Sequence, residues 1–448
     1  MRRTPKFAIV TLALTVCGYT SAFAGVSAEE AGKLKSELTP LGAEKAGNKD
    51  GTIPAWTGGY TTVPAGYKSG DKRIDPFASE QPVVVITGAN VAQYADKLDE
   101  ATIALLKKYT DYKVKVFPTH RTAAAPQWVY DETFKNATRT KLEGYKVKNA
   151  YGGPPFPIPK SGTEVLWNHL LRVAPGSTSW PFRSYVVDSS GTVSVGTGGQ
   201  NDIQRPYYMK GKSPEDIDKG FFMAVRQTVT EPAVRAGELL MFQDKLDNTR
   251  SSWQYLVGQR RVRRAPSICC DTPNFVNSGV DFFDEGFVFF GPMDRYDWKI
   301  VGKREMYIPY NMNGFFLKSE KEVTGKHFAN PEHIRWELHR VWEIEGTVRA
   351  GERDVRARRK IYVDEDSWVG VIGNTFDAQG TLWHHTMAFS ILMFEFPAVY
   401  MQNMQTLDLL KGSYTLTIHN DQKKHQQIVD PYPDGIYTPE GMVNAGVR

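Results

Sequence analysis

The stretch "KIYVDEDSWVGVIGNTFDAQGTLWHHTMAF", residues 360–389, decides the fold class. Lys360–Val363, Val369–Phe376 and Thr381–Phe389 are short runs rich in β-branched and aromatic residues. An acidic turn, Asp364-Glu365-Asp366, separates the first two, and Asp377-Ala378-Gln379-Gly380 separates the second from the third. Runs of this length divided by turn chemistry predict an antiparallel meander. Just upstream, "RWELHRVWEIEGTVR", residues 335–349, alternates. Trp336, Leu338, Arg340, Trp342 and Ile344 fall on one side, and Glu337, His339, Val341, Glu343 and Glu345 on the other. Period-two patterning adds another strand. Working outward, the same texture runs from about Ala236 to about His419, and an earlier hairpin turns at Asp188-Ser189-Ser190-Gly191.

The N-terminal third reads differently. Ser27 and Glu30 stand in capping-box spacing, as do Ser161 and Glu164, and each pair predicts a helix start. Helical periodicity covers 90–109, and Ser213-Pro214-Glu215 opens a helix expected to run to about Val229. Residues 46–88 are rich in Gly and Pro and predict an extended segment anchored by Trp56 and Phe77. The chain therefore divides into 1–24, 25–89, 90–235, a sheet over 236–420, and a tail over 421–448, with 25–448 expected to fold as one unit. The fold class is mainly β (α+β). A single antiparallel sheet of this length is expected to curl around its own helices, or around helices and a ligand.

Composition bounds the function. Of 448 residues, 41% are apolar and 23% charged, which is ordinary for a globular protein. Arg2, Arg3 and Lys6, the apolar run Phe7–Val16 and Ala22-Phe23-Ala24 have the form of a cleaved export signal, with cleavage expected after Ala24 and a periplasmic mature chain. Cys17 follows Val16, too bulky for lipoprotein processing, so anchoring there is not expected. Cleavage lowers Lys+Arg from 55 to 52 against 50 acids, so the formal charge falls from +5 to +2. A nearly neutral exported chain gives no reason to bind nucleic acid, and the apolar run is too short to cross a membrane. Cys269 and Cys270 remain, and adjacent cysteines form no disulfide framework.

Motif chemistry is sparse. No G-x-S-x-G, H-E-x-x-H or strand-linked G-x-G-x-x-G occurs, so no catalytic residue, cofactor or metal is expected. His384 and His385 are adjacent and point to opposite faces of a strand, and Asp364–Asp366 reads as a solvated turn. Aromatics are dense. Trp253, Tyr255, Phe283, Phe289, Trp298, Tyr307, Phe316 and Trp342 are the candidates to line an apolar cavity. In "YLVGQRRVRRAPSICC", residues 255–270, Arg260, Arg261, Arg263 and Arg264 are expected to pair with Asp281, Asp284 or Asp294, or to meet an anionic head group.

Several long segments carry a resemblance: "LTPLGAEKAGNKDGTIPAWTGG", "THRTAAAPQWVYDETFKNATR", "YGGPPFPIPKSGTEVLWNHLLR", "GQRRVRRAP", "GPMDRYDWKIVGKREMYIPYN" and "YVDEDSWVGVIGNTFDAQGTLW". Through them the chain resembles an uncharacterised family of Gram-negative periplasmic proteins labelled outer membrane lipoprotein-sorting protein, with a LolA/LolB-like fold. The resemblance implies an antiparallel sheet curled into an incomplete barrel, with helices plugging the concave face. It implies carriage of a hydrophobic or lipid-like molecule, beside an RND-superfamily inner-membrane exporter and an outer-membrane β-barrel protein. A structural adaptor with a self-filled sheet is the alternative, and a periplasmic hydrolase a third.

Overall fold

Turn chemistry sets the strand register. Asp188 Oδ1 accepts from the amides of Ser190 (2.8 Å) and Thr192 (3.0 Å), and Gly191 takes φ 90°. Asp377 Oδ1 does the same for Gln379 and Thr381, with Gly380 at φ 79°. Both are Asx-type turns in which a side chain imitates the backbone acceptor. The computed structural model describes residues 25–446 apart from 267 and 424, so the expected export signal and Cys17 lie outside the described residues.

Two short strands, β1 (Val84–Ile86) and β2 (Val114–Val116), pair with each other. A separate hairpin joins β3 (Lys141–Glu143) and β4 (Lys146–Lys148). A first meander follows: β5 (Ser177–Val187), β6 (Val193–Gln204), β7 (Met223–Glu231), β8 (Leu239–Asp244), β9 (Arg250–Leu256) and β10 (Arg261–Arg264). The second comprises β11 (Tyr296–Pro309), β12 (Trp336–Val348), β13 (Arg358–Asp364), β14 (Gly370–Phe376), β15 (Leu382–Met393), β16 (Ala398–Asp408) and β17 (Ser413–Ile418). β17 pairs antiparallel with β5 and fuses the two, while β2 and β18 (Gln427–Ile428) add to β12 and β5. The result is one 16-stranded sheet that runs from β1 to β10, with β11 branching from β12, and β10 pairs with neither β1 nor β11, so it does not close into a barrel.

The meander expected over 360–389 is present as β13, β14 and β15. The sheet, however, begins at Ser177 rather than near Ala236, and its first meander includes a segment expected to be helical. The helix at Ser213 has its capping box with Asp216 but ends at Lys219, and Met223–Glu231 is strand β7. Gly220 stops the helix, and pairing on both sides, with β6 and β8, outweighs helical propensity. Within 90–109 the regular helix is Glu100–Lys108, started by Asp99, which accepts from the Ala101 and Thr102 amides.

Helix Gly162–Leu170 lies inside the curl against β11 and β12, with every residue through His169 buried. His169 locks it: Nδ1 accepts from the Gly370 amide (2.8 Å), which leaves Nε2 to donate to Phe289 O (3.1 Å). Both sides of β12 are buried: Glu337, His339 and Val341 are as buried as Trp336 and Leu338. His120, Tyr310 and Asn311 lie against Glu337 and His339, while residues 44–48 reach Arg340 and Glu305 on the other side. Trp56 is an anchor as expected, donating to Ala123 O (2.9 Å), and Phe77 stacks on His120 at 4.1 Å.

Candidate functional site

Period-two alternation through the first meander builds the site. On β8, Leu239 and Met241 face outward under the C-terminal helix Pro439–Gly446, while Leu240 and Phe242 face the concave side. Trp180 and Phe182 on β5, Asn201 and Ile203 on β6, and Val225 and Gln227 on β7 continue that inner wall. Met401–Met404 of β16 and Thr417 of β17 close one flank. The roof is the irregular segment Asn274–Phe290, through Val276, Phe283, Phe287 and Phe290. These walls line a half-open cavity of about 130 Å³ without an ionisable side chain among the described residues. A void of about 150 Å³ admits one benzene-sized molecule, whereas sites for larger ligands run to roughly 300–1,000 Å³.

The roof is pinned at its middle and strained at its ends. Asp284 is gripped by Arg356 (2.5 Å) and Arg359 (2.8 Å), and Glu285 meets His384 Nδ1 at 2.8 Å. Burial raises the Glu285 carboxyl, but His384, with Arg356 and Arg359, outweighs it and holds the group near 2. Burial lowers His384, but Glu285 and Asp408 outweigh it and raise the imidazole to about 9. Asp281 has no such partner: burial and the neighbouring Glu285 push it up to about 8. Around this cluster Cys270, Ser278, Phe287 and Val288 all take left-handed backbone angles, φ 53–71°. For a β-branched residue such as Val288 this is a conformation that only surrounding packing sustains.

Of the candidate lining residues, Phe283 alone borders the cavity. Trp253 and Tyr255 point to the opposite face of β9, into a cluster with Tyr437 and Met442. Phe289 packs edge-on against Trp298, whose indole donates to Met293 O (3.0 Å). Tyr307 meets Tyr94, Phe316 is buried against Phe315 and His419, and Trp342 stacks on Trp368. These fill the core of the second meander. The cavity residues that sequence reading missed, Trp180, Phe182, Ile203, Val225, Leu240 and Phe242, alternate within strands β5–β8, and that alternation was the available signal.

The arginine expectation is corrected. Arg260, Arg261, Arg263 and Arg264 are all exposed on and before β10, a free sheet edge. Among the described residues none pairs with a carboxylate, and Arg263 donates to Gln254 Oε1 (3.0 Å). Their expected partners are engaged elsewhere: Asp284 by Arg356 and Arg359, and Asp281 by Asn277 (2.6 Å), while Asp294 is exposed. A cationic edge strand discourages pairing with another sheet, which accounts for the run without a ligand.

Two other readings are tested by geometry. His384 and His385 do point apart, the second meeting Asn374 (2.7 Å) and Asp99 (3.7 Å). Asp364-Glu365-Asp366 is no solvated turn: all three are buried under residues 41–56. Cys269 and Cys270 are free thiols at the start of the roof segment. Their mutual hydrogen bond lowers Cys269, helped by Arg295 and Arg250, and together with burial it raises Cys270.

A curled, unclosed sheet with a roofed apolar trough is thus the class of protein that the coordinates define. The chain belongs to the DUF1329 family, described as a protein of unknown function, which matches residues 85–442. It is 38% identical over 439 residues to the uncharacterized protein PA3922 of Pseudomonas aeruginosa, covering 96% of each chain. Among solved structures it is similar to a putative outer membrane lipoprotein-sorting protein domain from Vibrio parahaemolyticus, at TM-score 0.44 and 10% identity, over 63% of this chain and 98% of that one. A DUF1329 family protein from Desulfovibrio piger gives TM-score 0.41 and 12% identity, over 63% and 97%. The LolA superfamily protein NE2245 from Nitrosomonas europaea gives 0.36 and 11%, over 62% and 98%.

Proposed function

We propose that the protein is a non-enzymatic periplasmic carrier for a hydrophobic or lipid-like molecule. The observation that carries this reading is the apolar cavity between β5–β8 and the strained roof Asn274–Phe290. Aromatic and aliphatic walls favour apolar ligand surface, and the amides of Asn201, Gln227, Asn274 and Gln402 suit a neutral polar end. Walls without an ionisable group offer no acid or base for hydrolysis there. At about 130 Å³ the half-open cavity admits only a short part of an acyl chain, so burying a longer one requires the roof to lift. Among the described residues no helix is long and apolar enough to cross a membrane. Partnership with an RND-type exporter and an outer-membrane protein is the extension that the sequence resemblance suggests.

The same small volume favours a second reading, a structural adaptor whose trough is filled by its own roof. One experiment separates the two. N-phenyl-1-naphthylamine is titrated into the mature chain and displaced by a long-chain fatty acid, and Ile203→Trp is tested alongside. A carrier gives saturable fluorescence that fatty acid reverses and Ile203→Trp abolishes while the melting temperature stays close to wild type. Absence of saturable binding, with no lipid in organic extracts of the periplasmic protein, leaves the adaptor.

A further inference from the structure

A second polar centre lies in the other half of the sheet and owes nothing to the cavity. Glu337 and His339 are two apart on β12 and share a face. After β13 the chain turns through 364–369 and brings Asp364 and Asp366 beside them. His339 Nδ1 lies 3.8 Å from Asp364 Oδ1 and 3.9 Å from Asp366 Oδ2, and the three atoms lie within 4.8 Å of one another. His339 Nε2 stands 3.2 Å from Glu337 Oε2, a contact that keeps a proton on Nε2, so that in the neutral ring Nδ1 carries the lone pair.

The remaining valences are already used. Asp364 Oδ2 accepts from the Tyr310 hydroxyl (3.1 Å) and from the Ser367 amide (2.9 Å). Both Asp366 oxygens accept from Arg121, at 2.9 and 2.7 Å. His339 Nδ1 and Asp364 Oδ1 have no hydrogen-bond partner, although His339 and Asp364 are only 1% and 0% exposed. Three potential ligand atoms therefore converge on one buried point with no hydrogen bond among them. That arrangement repels itself unless a metal cation, or a proton on Nδ1, stands between.

We propose that this point is a divalent transition-metal site, with His339 Nδ1, Asp364 Oδ1 and Asp366 Oδ2 as ligands and Glu337 orienting the imidazole. A cation about 2.2 Å from each of three donors spread around it sets neighbouring donors about 3.8 Å apart. The His339 contacts have that spacing. One imidazole and two carboxylates select zinc-like ions over calcium or magnesium, and a carboxylate on the distal ring nitrogen is the usual outer partner. The two ligand carboxylates balance the ion's charge, while Arg121 keeps the second lone pairs of Asp366 and Lys303 pairs with Glu365. The site also has a mechanical consequence. Arg121 donates to the carbonyls of Glu44 (2.6 Å), Lys45 (3.1 Å) and Pro54 (3.3 Å), and Trp368 donates to Leu41 O (2.8 Å). A bound ion would tie the N-terminal strap, residues 41–54, to the turn after β13.

The test uses the full mature chain, stripped with EDTA and titrated with Zn²⁺ and, separately, Co²⁺. The expected result is about one Zn²⁺ per chain, and for Co²⁺ a paramagnetically shifted, exchangeable imidazole N–H resonance, because Nε2 stays protonated against Glu337. Asp364→Asn and His339→Gln lose binding, Glu337→Gln weakens it about 10–100-fold, and Glu365→Gln retains it. Zn²⁺ also slows proteolysis within residues 41–54. Less than a tenth of an equivalent of Zn²⁺ on wild-type protein, or equal binding by Asp364→Asn, overturns the proposal. Those outcomes leave a proton in the ion's place, with His339 as an imidazolium between the two aspartates. Wild-type stoichiometry and the Co²⁺ resonance decide the matter even where a variant does not fold.

Discussion

The two meanders share one sheet but are filled in different ways. Inside β11–β17 lies helix Gly162–Leu170, regular, capped by Ser161 and buried on all sides through His169. Inside β5–β8 lies Asn274–Phe290, with 3₁₀ turns, left-handed residues and a cavity beneath it. A helix satisfies its own backbone groups and can pack side chains densely on every face. An irregular segment must find partners for its backbone and charged groups elsewhere, and here the Asp284–Glu285 cluster supplies them. The contrast teaches that dense packing and room are divided between the halves: one is filled by a helix, and the other keeps a cavity.

The comparison breaks first on core truncation. Phe389→Ala, fully buried against Phe315, should cost about 3–5 kcal/mol, and Phe283→Ala about half as much because its ring already borders a void. Urea unfolding of both variants checks this, and equal losses would mean the two halves are packed alike. Hydrogen exchange sharpens the same point. Amides of 274–290 should open at a lower free energy than those of 162–170, as expected for a strained segment over a void.

A smaller effect concerns the charges that pin the roof. His384 is raised to about 9 and Asp281 to about 8, so both bind a proton in the folded state that the unfolded chain gives up at lower pH. The His384 contribution is complete below its unfolded value near 6.5 and disappears through 9. The Asp281 contribution is complete below about 3.8 and disappears through 8, so it overlaps the His384 span only between 6.5 and 8. Melting temperature should therefore fall steadily between pH 6.5 and 9, with Glu285, Asp408 and Arg356 keeping their charges throughout. His384→Gln should flatten that limb, and an unchanged slope would remove the pair from the account. The smallest effect belongs to the free edge. Arg261→Glu and Arg263→Glu should shift stability by no more than about 0.5 kcal/mol, although a double variant that self-associates would confirm the edge-guarding role.

Much of the architecture was legible because its causes are local. The turns at Asp188 and Asp377, the caps at Ser27, Ser161 and Ser213 and the alternation of β13–β15 each depend on residues a few positions apart. The site was less legible. Aromatic density pointed to residues 282–316, yet all but Phe283 of the candidates there sit in the second core, and the cavity wall came from sparser strands. Burial at β12 also escaped, since Glu337 and His339 look solvated until His120, Tyr310, Asn311 and the turn after β13 are laid against them.

What the sequence determined by itself is therefore the mainly β class, the meander register and family membership, because period-two patterning and turn residues act over a few bonds. Tertiary structure alone decided which aromatics face a void, which aspartates the arginines reach, and that Asp364–Asp366 is buried beside His339. Those outcomes depend on how the sheet curls and on which segment covers it. Arg356 and Asp284 are 72 residues apart, and the Trp368 indole finds its acceptor 327 residues away at Leu41. Contacts at such separations leave no periodic trace along the chain, so their partners emerge only once the strands have taken their order.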